Sequence, residues 1–395
     1  MDLRYSESDE AFRAEVRSWL EHALPELPSR PSWDDWAGRR RFDTDWQRRL
    51  FDAGYAAINW PREYGGRDAS PSEQLVFLEE TTRARAPYVG VNFVGSLHAG
   101  PTIMAEGNEE QKARYLPPIL RGDEVWCQGF SEPGAGSDLA ALKTRAVRDG
   151  DDYVLSGHKI WCSFAHVADF GEFLVRTDPN APKHRGISWL ILPMDLPGIE
   201  IRPLPTLAGE GEFSEVFLND VRVPVSQRVG AENDGWRITN VTLRFERGTA
   251  FASEMIQLQQ FLAVLAGLAQ RVTRGEQRAW DDAGVRREIG HLAAELDALW
   301  AMVKLSVSKS TKTGVPGLEG SALKLYYTEL YQRIVDLGMR LLGRAALSRD
   351  DVDGLPSRLL LHKALQSLSL TIAAGSSQIQ RNIVAERILG LPKER

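Results

Sequence analysis

Twice along its 395 residues this chain changes hydrophobic period, and each change marks a boundary that any fold must respect. Up to about residue 124 the apolar positions recur at helical spacing, as in Phe12, Val16, Leu20 and again in Trp46, Leu50 and Phe51. The turn "WPREYGG", Trp60 to Gly66, interrupts them, and Ser70-Pro71 reads as an N-cap and first helical residue. A short helix "NEEQKARYL" is expected to stop before Pro117-Pro118. From about 125 to 232 the texture is short alternating runs: "VWCQGF", "DYVLSG", "HKIWCSFA", "FGEFLVRT", "GISWLILP" and "FSEVFLNDVRVP". Asp149-Gly150 and Ser156-Gly157 read as hairpin-type turns between them. No helix separates these strands, which excludes a parallel nucleotide-binding sheet. From about 233 Phe251, Met255, Leu258, Leu262 and Leu265 step by four and three, the stripe of a bundle helix. "TGVPGLEGS", Thr313 to Ser321, reads as a loop, with Ser321 capping the next helix. The expected fold class is α+β with three domains. These are an N-terminal helical domain over 1–124, an antiparallel β-domain over 125–232 and a C-terminal helix bundle over 233–395.

Composition narrows the function classes. Net charge is -6 with both signs interspersed, which argues against a nucleic-acid binder. The two cysteines, Cys127 and Cys162, form neither a disulfide framework nor a metal spacing, so no metal site is expected. The N-terminus is acidic and amphipathic, unlike a signal peptide. No apolar run reaches about 18 residues, so no membrane helix is expected and the default location is cytoplasmic.

Chemistry concentrates in "GFSEPGAGSDLAALKT", Gly129 to Thr144. The dinucleotide fingerprint needs a third glycine where Leu139 stands, and the phosphate loop needs a Gly-Lys-Ser/Thr that is absent. The run is therefore neither common phosphate cradle. It is either a tight loop or a loop whose glycines let its backbone approach a ligand closely.

The segment around this run resembles the flavin-binding β-domain of the acyl-CoA dehydrogenase family. "GHKIW", "WPREYGG", "YLPPILRGD" and the C-terminal "IAAGSSQIQRNIVAERILGLP" resemble the same family at matching distances. The resemblance covers essentially the whole chain. It implies bound FAD, with Gln128, Phe130 and Ser131 along the pyrimidine side of the flavin, Trp161 against the ring and Ser163 near N5. It implies that Ser137 contacts the pantetheine arm of an acyl thioester. It also places Gly375, Ser376, Ser377 and Gln378 in the segment that meets substrate and FAD.

The implied reaction removes an α-proton and passes the β-hydrogen as hydride to the flavin, leaving a trans-2-enoyl-CoA. It needs a carboxylate over the α-carbon. Many family members carry that carboxylate just before the glycine of the C-terminal motif, but here the position is Ala374. In a minority, including the isovaleryl-CoA and long-chain acyl-CoA dehydrogenases, the base lies on the helix after the β-domain. The motif there resembles "LRFERGTA", which makes Glu246 the expected base and Arg247 a residue that shapes the site. Thr242, Leu243, Thr249 and Ala250, three and four residues away, include no base to pair with Glu246. The Ala374 N–H is expected to polarise the thioester carbonyl.

Two stretches depart from the family pattern. "RGEQRAWDDAG" lacks the Arg-x-x-Phe-Gly that reaches a neighbouring subunit's FAD, leaving Arg274 or Arg278 as substitutes, and "LLGRAAL" keeps only Gly343 of a Gly-Gly-x-Gly run. The expected partners are an acyl-CoA, an electron-transfer flavoprotein, and further subunits in a homotetramer or a hetero-oligomer with a related chain. Alternatives are a non-catalytic subunit of such an assembly, a flavin oxidase or monooxygenase, and a dehydrogenase of acyl-carrier-protein thioesters.

Overall fold

Reciprocal caps start three of the N-terminal helices. Ser6 with Asp9 opens α1 (Glu7–Ala23), Ser70 with Glu73 opens α3 (Pro71–Arg83), and Asn108 with Gln111 opens α5 (Glu109–Arg121). Each satisfies two backbone N–H groups that the first turn leaves without partners. Between them lie α2 (Trp36–Asp52), capped by Asp35, and α4 (Gly100–Glu106). The expected stop at Pro117-Pro118 does not occur, because both prolines lie inside α5. Burial of Tyr115, Leu116, Ile119 and Leu120 on one face holds the helix through them, outweighing the two missing N–H donors. In this computed structural model the described residues are 4–209, 211–245, 251–313 and 319–393.

The middle of the chain forms one eight-stranded sheet. Its strands are β1 (Trp126–Gly129), β2 (Arg145–Asp149), β3 (Asp152–Ser163), β4 (Phe170–Arg176), β5 (Ile187–Pro193), β6 (Ile199–Leu204), β7 (Phe213–Pro224) and β8 (Arg228–Val229). The order is β6-β7-β3-β2-β4-β5-β8, with β1 paired to β4. Most pairs are antiparallel, as expected, but β1 runs parallel to β4 and β2 touches β4 in parallel at one residue. No hairpin sets the direction of β1, which arrives from α5 and leaves into the Gly-rich run. Pro203 is tolerated because β6 is the edge of the sheet. The turn at Asp149-Gly150 forms, with Gly150 at φ +63. Ser156-Gly157 is not a turn: it lies inside β3 at a register irregularity against β7. A Cβ on Gly157 would come within 2.4 Å of Thr144, so this glycine serves a close strand approach.

The C-terminal part contains α6 (Gly235–Phe245), α7 (Ala252–Arg271), α8 (Ala283–Thr313), α9 (Glu319–Leu342), α10 (Ser357–Leu370) and α11 (Ser377–Ile383). The four-three stripe is its core: Met255, Leu258, Leu262 and Leu265 are buried with Leu296, Leu299, Ile334 and Leu337. Ser321 does not cap α9. The helix already runs from Glu319, and Ser321 is buried within it. Among the described residues no helix is long and apolar enough to cross a membrane.

The layers are joined by shared cores and by polar ties. Trp126, Trp189 and Ile191 of the sheet pack in one cluster with Trp46, Trp60 and Leu116 of the helical layer. Gln111 on α5 donates to the carbonyls of Ser226 and Arg228 at 2.8 and 2.9 Å, and Thr102 on α4 bonds Thr242 on α6 at 2.7 Å. Arg13 on α1 bridges Glu79 and Glu80 on α3, whose Leu75 enters the bundle core.

Leu265 is fully buried opposite Gly338, where even a methyl group would meet its side chain at 3.0 Å. Such tight packing cannot collapse around a void. Leu265→Ala is therefore expected to cost about 2–5 kcal/mol, read as a lower denaturant midpoint with an unchanged slope in chemical unfolding.

Candidate functional site

A bulge in β3 sets the orientation of the most exposed aromatic of the sheet. Register against β7 slips between Lys159 and Cys162, and Trp161 in that interval adopts φ +61. Bulges bend a strand and re-aim a side chain. Here the result is an indole 54% exposed, fixed edge-on against Phe213 at 5.7 Å. A non-glycine residue in the left-handed region is uncommon, and strain of this kind gathers at functional sites. Ser163, two residues on, is half-buried and pairs with Phe213 in the ladder.

The Gly-rich run is pinned at both ends by one buried ion pair. Lys159 is fully buried, and its Nζ donates to Glu132 Oε1 at 2.9 Å and to the Phe130 carbonyl at 3.0 Å. The same carboxylate accepts the Lys143 N–H at 2.7 Å and the Thr144 N–H at 2.8 Å. Glu132 therefore closes the run on itself. Burial alone pushes its carboxyl pKa up, but the Lys159 ammonium and the two N–H donors outweigh burial and hold it below its ordinary value. Within the closed loop, a Cβ on Gly134 or Gly136 would meet nothing within 4 Å, so this backbone faces open space. The Ser131 carbonyl accepts from Ile160 N–H at 3.0 Å, which sets the run beside Trp161.

The other residues singled out above fall in three places. Gln128 is half-buried on β1 and Phe130 is buried below the run. Ser137 is exposed at its tip, where the adjacent Asp138 bonds Lys183 at 2.6 Å. That ion pair joins the run to the loop before β5. Beyond it lies a cleft of about 590 Å³ lined by His184, Arg185, Trp236 and Arg237, with the His184 and Trp236 rings 4.8 Å apart.

The C-terminal group forms a separate station on α9. Ala374 and Gly375 are left-handed at φ +51 and +84, and Lys324 donates to the Gly375 carbonyl at 2.7 Å. Ala374 is exposed, and among the described residues its N–H has no acceptor. Ser376 caps α11, Ser377 is buried with its hydroxyl unpartnered among the described residues, and Gln378 is exposed. Among the described residues no hydrogen bond ties 374–378 to the Gly-rich run. Glu246 and Arg247 lie outside the described residues, as does the Arg274 side chain. Arg278 is held by Asp281 at 2.8 Å, and Gly343 is left-handed at φ +57.

Sequence reading missed Lys159, Glu132, Glu172 and the use made of His98. A signal for Lys159 existed. It shares strand parity with buried Leu155, and a lysine on the core side of a strand must find a partner. Lys159→Met leaves Glu132 buried without its cation. The expected cost is about 3–5 kcal/mol, together with faster proteolytic cleavage within 133–142, both measurable on the purified protein.

These features agree with what the chain resembles. Three family models match: acyl-CoA dehydrogenase N-terminal domain at residues 6–123, middle domain at 127–221 and C-terminal domain at 233–389. The acyl-CoA dehydrogenase IpdE1 of Mycobacterium tuberculosis is 38% identical over 391 residues, covering 98% of each chain. Two solved structures cover the full length of both chains at 35% identity. They are the Tcur3481–Tcur3483 steroid ACAD, with a TM-score of 0.84, and the ChsE4–ChsE5 complex of Mycobacterium tuberculosis, with 0.83. The chain is thus a member of the acyl-CoA dehydrogenase family of flavoprotein oxidoreductases, which act on CH–CH groups.

Proposed function

We propose that this chain catalyses α,β-dehydrogenation of an acyl-CoA thioester to the trans-2-enoyl-CoA and passes the electrons to an electron-transfer flavoprotein. The observation that carries the reading is Trp161, a wall of bare indole that a backbone bulge holds beside an open, pinned glycine run. A planar cofactor needs such a wall and a few fixed polar groups. Family members bind FAD, and the residues here fit it: Gln128, Phe130, Ser131, Trp161 and Ser163 as the ring's seat, with Ser376, Ser377 and Gln378 as the C-terminal contribution. When bound, FAD supplies the acceptor for the hydride that leaves the β-carbon.

The chain's own residues do the rest. Glu246 takes the α-proton, a role supported by its motif and by the alanine at position 374. The Ala374 N–H, without an acceptor among the described residues, points to a donor for the thioester carbonyl, which makes the α-proton more acidic. Ser137 steadies the pantetheine arm. The cleft beyond Asp138–Lys183 offers Arg185 and a pair of aromatic rings, chemistry suited to the phosphates and adenine of CoA, while its other arginine, Arg237, is paired with Glu106 and Asp234.

A bulky, polycyclic acyl group and a second, related chain extend this reading. Support comes from one structural neighbour being a steroid ACAD and from two neighbours that pair different chains. Within this chain, Arg278 pairs with Asp281 at the surface.

Glu246→Gln is expected to leave the flavin absorbance bands intact. It should slow their anaerobic bleaching by acyl-CoA by about 10²–10⁴-fold. A Gln variant that bleaches at the wild-type rate refutes the assignment of the base.

A further inference from the structure

Behind the candidate flavin seat lies a polar cluster that the reaction does not use. Glu172 on β4 is fully buried and His98 nearly so, and both converge on the side-chain nitrogen of Gln128. Gln128 Nε2 lies 2.7 Å from Glu172 Oε1 and 3.0 Å from His98 Nδ1. The His98 and Glu172 side chains are themselves 3.7 Å apart, beyond hydrogen-bond reach. The other Glu172 oxygen, also buried, has no partner among the described residues.

Donor and acceptor counting fixes the amide. A carboxylate only accepts, so the NH2 end of Gln128 must face Glu172. An amide nitrogen has two hydrogens, and the second goes to His98 Nδ1, which places the ring hydrogen of His98 on Nε2. Both amide hydrogens are then spent inward. The Gln128 carbonyl oxygen is left over, and among the described residues nothing donates to it. His98 alone could not enforce this, because an imidazole can move its hydrogen between the two nitrogens. A carboxylate at this position can, because it only accepts.

We infer that Glu172, assisted by His98, is a positioning residue that makes Gln128 an obligate hydrogen-bond acceptor for the cofactor ring. The inference rests on the flavin reading above. An oxidised isoalloxazine ring carries one N–H, at N3, and elsewhere along its polar edge it presents acceptors. An acceptor-only Gln128 can meet the ring only at N3–H. Donation from its amide to the buried carboxylate also strengthens its carbonyl as an acceptor. A glutamine free to turn would serve N3–H and the neighbouring carbonyls equally and would not select between them.

The test compares binding of FAD and N3-methyl-FAD to the apoprotein by flavin fluorescence. Wild type is expected to prefer FAD by about tenfold or more, the scale of one well-placed hydrogen bond and its unsatisfied counterpart. Glu172→Leu keeps the bulk of Gln128 but frees its amide, so its preference should fall severalfold, and Glu172→Gln, whose own NH2 can turn toward Gln128, should lower it in the same direction. Equal preference in wild type and Glu172→Leu overturns the inference, as does a Glu172→Gln variant that keeps the full wild-type preference. Should the leucine variant not fold, wild type loaded with 15N-labelled FAD decides. An N3–H proton protected from exchange and a downfield N3 resonance support the inference, and a resonance like that of free FAD overturns it. An apoprotein that binds neither flavin fails differently, by refuting the flavin reading itself.

Discussion

The sheet side of the candidate site depends on the buried contact between Glu132 and Lys159. Its two side chains come from a loop and a strand, and the bonds they make reach both ends of the run. Phe130, Ala135, Ala140 and Leu142 anchor the run in the core, but its tip, with two glycines that have nothing around them and an exposed serine, has no such packing. A loop of this length would normally lose its conformation to entropy. The ion pair adds directed contacts to the apolar ones. Burying two charges is costly, and the cost is offset here because the carboxylate also accepts two backbone N–H groups. The position of the lysine matters as much as its charge. Lys159 directly precedes the bulge that turns Trp161 outward, so the same strand segment fixes the loop and the aromatic wall.

The two ends of the proposed substrate site are built on different principles. On the sheet side, position is enforced by buried polar contacts beneath an open surface. On the bundle side, the Ala374-Gly375 corner is a strained backbone turn braced by Lys324 and Gln380, with an N–H at its tip that has no acceptor among the described residues. Between them the protein supplies an aromatic wall, an N–H without an acceptor among the described residues, and a cleft with two aromatic rings.

Much of the architecture was legible in the sequence because it follows from period. The switch from helical spacing to alternation and back locates the sheet between two helical layers, and the stripe from Phe251 to Leu265 reappears as the bundle core. Failures came where a local rule was overridden by packing. Pro117 and Pro118 should end a helix, but four buried side chains carry α5 through them. Gly157 reads as a turn residue, yet its lack of a Cβ is used to admit Thr144. Ser321 looks like a cap, but α9 begins two residues earlier.

The site was less legible, for a reason that Gln128 illustrates. Its resemblance to a flavin contact can be read along the chain, whereas its direction cannot. Whether an amide offers its carbonyl or its NH2 depends on what stands behind it. Here those groups are His98, thirty residues earlier, and Glu172, forty-four residues later. Neither is remarkable in sequence: one lies in a stretch of small residues, the other in a run of strand hydrophobics. Only the parallel pairing of β1 with β4, which no alternation pattern predicts, sets Gln128 directly opposite Glu172. Strand direction thus decides the chemistry of the amide. An antiparallel β1 would reverse the order of partners along β4 and break the link between register and the buried carboxylate.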